Sequence, residues 1–393
     1  MDVDPAALRD TVERLARLDR RPCSDGEREA AEWIAGELRR QGSDARVEAE
    51  RAHSSFHTPL GLLALVAAAG GLAALRGQRL FGAAAGALAA ASMWEDLAGG
   101  ERRPFRRALR QGTTHNVVAD AGDRNAERTL VVLAHHDAAR TSFIFDQRVP
   151  RLAHERLPWL IERIDRWPPL MGLVVGGPAL VAAGAGAGSR RLTTAGTVLA
   201  AGTAAVMADM SRNPVVPGAN DNLSGVAALI ELARLLRARP PSGLRVLLVS
   251  TGAEEANQEG MLAFAARHFG ALPRASTSFL CLDTVGSPEL VLIEGEGFLR
   301  MRDYPRAEKE LVQACARQAR VHLRRGLRFT FATDGLIALR RGYACAAIGS
   351  VNRYLVPANY HWPTDTPERV DYESVAGAAR LALALASRKA RGA

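Results

Sequence analysis

The sequence predicts an α/β fold in which a mixed sheet, parallel at its centre, is flanked by helices and interrupted by two apolar helical hairpins. Three continuous apolar runs, Thr129–Ala134, Leu244–Ser250 and Ser278–Leu282, are typical of strands buried on both faces, as in a parallel sheet. Amphipathic stretches such as 226–236 separate the runs and predict the flanking helices. Two pairs of long apolar segments fit neither pattern, and they predict the hairpins.

Each apolar run ends in acids or imidazoles. His135-His136-Asp137 follow the first run, Glu254-Glu255 lie shortly after the second, and Asp283 follows the third. One such His is more often structural than a ligand. However, the carboxyl ends of parallel strands meet at one edge of an open sheet, where ligands bind. The three runs together therefore predict a single polar site.

Two further motifs can join that site. Asp221 lies in Gly-Ala-Asn-Asp-Asn before the helical stretch 226–236, where it can cap the helix and also bridge two cations. The pair Tyr360-His361 supplies a second imidazole. The five motifs hold at least two imidazoles and four carboxylates, which are the nitrogen and oxygen ligands that zinc takes in catalytic sites. We therefore predict a two-metal site.

Taken jointly, these motifs resemble the double-zinc aminopeptidases, a family of co-catalytic metallo-exopeptidases. The similar stretches are AHHD at 134–137, GANDNLSGVAALIELAR at 218–234, GAEE at 252–255, LDTVG at 282–286 and NYHWPTDTPE at 359–368. The opening segment 24–34 is similar to the first helix of the family. The resemblance implies a zinc exopeptidase-like fold, built as one discontinuous peptidase domain from blocks 1–50, 113–150 and 212–393.

The resemblance also implies which residues hold metal. His135 and Asp283 would bind one zinc ion, Glu255 and His361 the other, and Asp221 would bridge them. The expected cofactor is thus two Zn²⁺, although the ligand types also suit cobalt or manganese.

Catalytic roles follow from the same resemblance. Glu254 would act as general base toward a metal-activated water, and Tyr360 would donate a hydrogen bond to the oxyanion. Asp137 would orient an imidazole, as metal-bound histidines require. Asp365 has two interpretations, a similar supporting role or a turn or helix cap. The motif around Asp334 departs from the family, because Thr-Asp-Gly stands where relatives tend to have Ser-Asp-His.

The two hairpins are predicted at 58–94 and 167–210. Each consists of two apolar segments around a short basic turn, at 76–79 and 189–191. A helix needs about 20 residues to span a bilayer. The segment 80–94 is short for this, and the wealth of Ala and Gly also fits helical hairpins buried in a protein interface. The absence of a polar stripe and the small residues favour four membrane helices.

Connectivity and charge then predict a topology. Two hairpins leave all catalytic blocks on one side of the membrane, and the arginines near those blocks outnumber the two in each turn. The positive-inside rule therefore predicts a multi-pass cell-membrane protein with a cytoplasmic catalytic domain. If the strand at 115–120 runs antiparallel to that at 129–134, both insertions leave from the edge that carries the metals, and the active site lies near the lipid.

The amino-acid composition limits which classes of binding partner are expected. The net charge of +9 comes almost entirely from Arg, but no basic helix or aromatic-interleaved strand supports nucleic-acid binding. We therefore expect anionic lipid headgroups and peptide substrates as partners. The predicted function is a membrane-embedded zinc-dependent aminopeptidase. Two alternatives stay open, a single-zinc glutaminyl cyclase-like acyltransferase and a non-catalytic binding protein on the same fold. The oligomeric state and side-chain specificity are not predicted.

Overall fold

The fold is that of a computed structural model of the 393-residue chain, which describes residues 3–161 and 163–392. Its main sheet has seven strands in the order β1-β2-β4-β3-β5-β10-β6, and a small sheet has the order β8-β7-β9. The strands are β1 Asp44–Ala52, β2 Gly112–Gly122, β3 Thr129–His135, β4 Arg245–Thr251, β5 Thr277–Leu282, β6 Glu289–Leu292, β7 Gly295–Glu296, β8 Arg302–Asp303, β9 Arg328–Phe329 and β10 Ala344–Val351.

The strand directions confirm the predicted mixed sheet. Strands β4, β3, β5 and β10 are mutually parallel and form its centre. Strand β2 is antiparallel to β4 and to β1, and β6 is antiparallel to β10. The carboxyl ends of β1, β3, β4 and β5 therefore point to one edge, which we call the site edge.

Helices cover both faces of the sheet. They are α1 Pro5–Leu15, α2 Asp25–Arg40, α3 His57–Leu75, α4 Arg79–Leu97, α5 Pro104–Ala108, α6 Arg148–Arg156, α7 Pro158–Ile161, α8 Met171–Gly186, α9 Arg190–Arg212, α10 Ser224–Ala238, α11 Glu259–His268, α12 Arg306–Gln318, α13 Gly335–Arg340 and α14 Tyr372–Ala390. Helices α1, α2, α10, α12 and α14 pack on one face, and α11 and α13 pack on the other.

The side chains of each strand point alternately to the two faces of the sheet, so they divide the hydrophobic core in two. In β3, Leu130 and Val132 pack on the face covered by α1, α2, α10, α12 and α14, whereas Val131 and Leu133 pack on the face covered by α11 and α13. Both faces are therefore buried, which explains why the strand has an unbroken apolar sequence instead of alternating polar residues.

Helices α3, α4, α8 and α9 form a separate four-helix bundle, which we call the inserted bundle. The first pair departs after β1 and returns at β2, and the second departs after β3, so both insertions leave from the site edge. Strand β2 is antiparallel to β4 and therefore to β3. This is the strand direction under which the sequence predicts that both insertions leave from the edge that carries the candidate ligands. The helices match the predicted hairpins to within a few residues.

Two helices of the inserted bundle, α3 and α9, are long and apolar enough to cross a membrane. Helix α8 is apolar but has 16 residues, or about 24 Å, against a hydrocarbon thickness of about 30 Å. Residues 167–170, which belonged to the predicted segment, are outside this helix.

Small residues fill the interior of the inserted bundle. A Cβ atom at Gly196 would lie 2.5 Å from the backbone nitrogen of Val181, and one at Gly86 would lie 2.6 Å from that of Ala182. Only glycine therefore allows these helices to approach so closely. Leu60, Leu63 and Met93 are also buried there, but many other large apolar side chains of the bundle point outward. Those with the greatest exposure are Leu65, Leu72, Leu80, Phe81, Leu88, Leu173 and Val198.

A buried polar cluster joins the inserted bundle to the rest of the chain. Arg106 forms two hydrogen bonds with the carboxylate of Asp96 at the end of α4, at 2.9 and 2.7 Å, and donates a third to the carbonyl of Ala256 at 2.9 Å. Arg103 pairs with Glu259 at 3.2 Å, and the side chain of Asn257 donates to the carbonyl of Asp96. We call these residues the base network.

Candidate metal centre

Loops at the site edge bring the predicted ligands together. His135 ends β3, and its Nε2 lies 3.2 Å from Oδ1 of Asp221. Nε2 of His361 lies 3.1 Å from the other oxygen of Asp221 and 3.3 Å from Oε2 of Glu255. The two imidazoles therefore contact opposite oxygens of one carboxylate.

The ligand atoms form two groups that share Asp221. His135, Asp221 and Asp283 make one group, and Asp221, Glu255 and His361 make the other. Within each group the candidate ligand atoms lie within 4.8 Å of one another. These are the two ligand sets that the resemblance implies.

Several buried atoms at the centre make no hydrogen bond in the described part of the chain. They include Nδ1 of His135, Oδ2 of Asp221 and Oε1 of Glu255. Oδ2 of Asp221 is close to His361, yet the geometry is not that of a hydrogen bond. Unsatisfied buried donors and acceptors are costly, and ligands aimed at a common cation would leave them in this arrangement. The donor set therefore fits divalent metal.

The electrostatics of the centre call for added positive charge. Burial raises the pKa of Glu254, Glu255 and Asp283 above the usual carboxyl range. Burial lowers the pKa of His361, but Glu255 and Asp221 raise it to about 10 overall. Burial likewise opposes the charged form of His135, but the nearby carboxylates of Asp137 and Asp221 raise its pKa overall. A cation would relieve the repulsion among the acids.

Asp137 is fully buried and supports the glutamate loop. Its two oxygens accept hydrogen bonds from the backbone nitrogens of Glu254 and Glu255, both at 3.0 Å, and Oδ1 lies 3.4 Å from Nδ1 of His135. Asp137 therefore contacts one imidazole, as the sequence predicts, and also holds the loop that carries both glutamates.

The backbone at the centre takes up the left-handed region at non-glycine residues. Ala253, before Glu254, has φ of 47°, Thr284, after Asp283, has φ of 52°, and His361 has φ of 49°. Such a conformation costs roughly 1–2 kcal/mol per residue. It persists where surrounding contacts fix it, and such residues cluster at functional sites.

Hydrogen bonds between its backbone and two buried side chains hold the loop that carries Asp221. Asp365 is buried and accepts hydrogen bonds from the backbone nitrogens of Asn220 and Asp221, at 2.8 and 3.1 Å. Of its two interpretations, the geometry favours support of this loop. Burial raises the pKa of Asp365 to about 7. The fully buried Arg20 donates to the carbonyl of Pro217 at 2.9 Å, in the same loop.

Tyr360 lies against the imidazole of His361. The two rings stack with centroids 3.9 Å apart, and Phe331 and Phe145 pack around Tyr360 at 5.5 and 5.8 Å. Phe145 also contacts the ring of His361 at 4.5 Å. An aromatic wall therefore borders the centre on the side of the second ligand group.

A cavity of about 840 Å³ opens from the centre. Glu254, Glu255, Tyr360 and His361 line one end of it. This volume lies within the range of about 300–1,000 Å³ that is typical of small-molecule sites.

Sequence reasoning missed part of this site. Arg20, Phe145 and the base network had no motif around them, and no local signal marks them. Asn222, by contrast, belongs to a recognised motif, and its Oδ1 accepts from the backbone nitrogen of Thr284 at 3.0 Å. Asp334 accepts a hydrogen bond from the hydroxyl of Thr251, which ends β4 beside His135. The Thr-Asp-Gly motif that departs from the family pattern therefore still lies at the wall of the site.

Comparison with known families supports this picture. Residues 202–386 match peptidase family M28. That region contains Asp221, Glu254, Glu255, Asp283 and His361. No curated protein matches the chain.

Solved structures share the fold at low sequence identity. A Tannerella forsythia glutaminyl cyclase has a TM-score of 0.58 at 14% identity, with 98% of this chain and 99% of that chain covered. An aminopeptidase from Aneurinibacillus sp. strain AM-1 has a TM-score of 0.57 at 15% identity, with 99% and 94% covered. A Zn-dependent exopeptidase from Parabacteroides distasonis has a TM-score of 0.55 at 14% identity, with 98% and 99% covered.

The predicted resemblance and the predicted fold class are both confirmed by these findings. The structural likeness shows the fold alone, and it includes both aminopeptidases and glutaminyl cyclases. This chain therefore carries a region that matches peptidase family M28, on a zinc exopeptidase-like α/β fold.

Proposed function

We propose that the protein is a membrane-embedded, zinc-dependent aminopeptidase that removes N-terminal residues from peptides. The observation that supports this most is the pair of ligand groups that share Asp221. Two metal ions about 3.5–4 Å apart need such a shared carboxylate, and aminopeptidases are among the enzymes that use paired ions.

The proposed ligands are His135 and Asp283 for one ion and Glu255 and His361 for the other, with Asp221 between them. Bound zinc would polarise the scissile carbonyl and make water a better nucleophile near neutral pH. Cobalt or manganese suits the same donors.

Glu254 is the proposed general base. It takes a proton from the attacking water as the oxygen–carbon bond forms, and it returns a proton to the amine as the carbon–nitrogen bond breaks. Its position beside His135 and Glu255 supports this role. Tyr360 donates a hydrogen bond to the oxygen on which negative charge develops. Asp137 and Asp365 position the two ligand loops through the backbone contacts described above.

Replacement of the base tests the proposal. Glu254→Gln should lower kcat for an aminoacyl-arylamide by about 10²–10⁴-fold, because the amide cannot accept the proton. Bound zinc, measured by elemental analysis, should stay unchanged. Glu29→Gln, at an exposed position on α2, is the matched control and should retain full activity. Equal activity of Glu254→Gln and the wild type would favour the binding-protein alternative.

A glutaminyl cyclase activity is the second candidate, because solved cyclases share the fold. Cyclisation of an N-terminal glutamine releases ammonia and leaves every peptide bond intact, whereas an aminopeptidase releases a free amino acid. Mass spectrometry of a Gln-initiated peptide separates the two. We expect hydrolysis and two zinc ions per chain, while ammonia release with one ion would establish the cyclase.

The proposed membrane topology is two hairpins with the catalytic region in the cytoplasm and anionic lipids as partners. The outward apolar side chains of the inserted bundle support insertion, and the arginines near the catalytic blocks support the orientation. The chain should resist alkaline extraction from membranes. In intact cells, an impermeant thiol reagent should label Gln78→Cys in the outer turn but not Glu29→Cys, at an exposed position on α2, and the reverse pattern would contradict the orientation.

A further inference from the structure

The cavity at the metal centre extends to the ends of the inserted helices. Met171 begins α8, Met207 and Met210 lie near the end of α9, and Phe56 precedes α3, and all four line the cavity. The inserted bundle therefore supplies part of the wall of the candidate active site. The cavity lies where the bundle meets the α/β region.

Apolar side chains predominate at this far end of the cavity, which His57 and Arg328 also line. From the α/β region, Phe298, Phe329 and Leu327 contribute to its lining. Phe298 packs against Phe56, with centroids 6.1 Å apart, across the junction between the two regions. The end at the metals carries the carboxylates of Glu254 and Glu255. The two ends thus offer different chemistry to one ligand: an acidic end, where the amine would meet the carboxylates together with the ions they would hold, and an apolar end for bulky side chains.

A segment between β3 and α8, the strap, covers the cavity and is defined here as residues 143–161 and 163–170. Val149 and Leu170 line the cavity and are also 64% and 60% exposed, so they lie at its rim. Leu152, Leu157 and Trp159 are exposed elsewhere on the strap. The strap also carries exposed arginines at 148, 151, 156, 163 and 166. Exposed apolar groups interspersed with arginine are typical of segments at the lipid–water interface.

We infer that the cavity binds the apolar N-terminal residues of a membrane-bound peptide, which enters past the strap at the bilayer surface. This inference rests on the proposed function and names its substrate class. The amine of the peptide faces the acidic end, and the following apolar side chains contact the helix ends and the strap rim. Because these helix ends lie on the catalytic side of the bundle, the cavity opens at the depth of the lipid headgroups.

The test uses the full chain, loaded with zinc and reconstituted in vesicles that contain anionic lipid. Two synthetic peptides carry the same hydrophobic anchor helix at the carboxyl end, one with an apolar and one with a polar N-terminal tetrapeptide. The shared anchor equalises their concentration at the membrane. We expect kcat/KM for the apolar peptide to exceed that for the polar one by about tenfold or more. The apolar tetrapeptide without an anchor should be cleaved more slowly.

Substitutions at the rim supply the matched variants. Leu170→Glu, and independently Val149→Glu, should reduce the preference for the anchored apolar peptide by about tenfold, because each places a charge where apolar side chains bind. Ala271→Glu introduces the same charge at an exposed position between α11 and β5, outside both the strap and the cavity, and it should change cleavage by less than about twofold. All three side chains are exposed, so the fold should tolerate each substitution.

Equal cleavage of the apolar and polar anchored peptides would overturn the inference, as would equal effects of the rim variants and Ala271→Glu. A water-soluble aminoacyl-arylamide distinguishes this failure from failure of the proposed function. Zinc-dependent hydrolysis of that compound without any preference among anchored peptides would leave the aminopeptidase proposal intact. If the zinc-loaded protein cleaved neither the arylamide nor any peptide, the proposed function itself would fail.

Discussion

The α/β region and the inserted bundle differ in how many of their large apolar side chains are exposed. In the α/β region, Phe264 and Phe279 are fully buried between helices and sheet. In the inserted bundle, glycine and alanine occupy much of the interior, while Phe81 and Leu88 are 58% and 63% exposed. One chain therefore contains two packing arrangements.

The difference fits the proposed insertion of the bundle into a membrane, where the two regions would face different solvents. In water, burial of large apolar groups is the main favourable contribution to folding, so they belong inside. In lipid this driving force between helices is absent, and association depends on close backbone contact through small residues. The hydroxyls of Thr193 and Thr197 donate to carbonyls one turn earlier in α9, so these polar groups are also satisfied within the helix. The contrast can be tested residue by residue.

The largest effect is expected from a buried aromatic of the α/β region. Phe264→Ala should lower the free energy of unfolding by about 3–5 kcal/mol, because it leaves a cavity in a close-packed core. Phe81→Ala removes the same ring from the outer surface of α4 and should cost less than about 0.5 kcal/mol in detergent. Urea unfolding of both variants measures the difference. Similar losses would mean that the outer surface of the bundle is packed against protein.

The next effect concerns the junction between the two regions. Arg106→Ala leaves Asp96 buried without its partner, and removal of one member of a buried ion pair typically costs about 3 kcal/mol or more. Because Arg106 also holds the carbonyl of Ala256, kcat should fall as well. Arg107→Ala, at the exposed neighbouring position, is the control. Thermal melts and activity assays of both variants measure these losses. If the two variants behaved alike, Arg106 would not link the junction to the glutamate loop.

The smallest effects are expected from two glycine substitutions in α9, which should change the stability of the inserted bundle in opposite directions. Gly196→Ala should destabilise the inserted bundle by about 1–3 kcal/mol, because the new methyl group would meet the backbone of α8. Gly202→Ala meets no atom within 4 Å and should stabilise the helix by up to about 1 kcal/mol. Melting temperatures in detergent should therefore move in opposite directions. A shift of the same sign in both variants would show that the close approach of α8 and α9 is not maintained.

Much of the fold was predictable because burial leaves a direct trace in the sequence. The run Thr129–Ala134 has no polar alternation, and it is the central strand β3, buried on both faces. The residues after such strands, including His135 and Asp283, meet because parallel strands share one edge. The mixed sheet and the family resemblance are confirmed. The assignment of metal ligands stays a prediction, although the structure brings those residues together.

The rest depends on contacts between distant residues, which no local pattern encodes. Asp96 and Arg106 lie on either side of a turn and form a pair only once α4 and α5 are packed. The two interpretations of Asp365 could not be separated from the sequence, because its partners, the backbone nitrogens of Asn220 and Asp221, carry no side-chain signature. The left-handed backbone conformation of Ala253 likewise could not be predicted, because an alanine side chain gives no indication of it.

The base network limits how this protein can be engineered. Excision of α3 and α4, to obtain a shorter chain without the proposed first membrane hairpin, would remove Asp96 and leave Arg106 without its carboxylate partner beneath the glutamate loop. Under the proposed topology, the part of the chain that anchors the protein also supports the loop that carries both glutamates. A shortened version would need replacement acids at that junction before it could be expected to work.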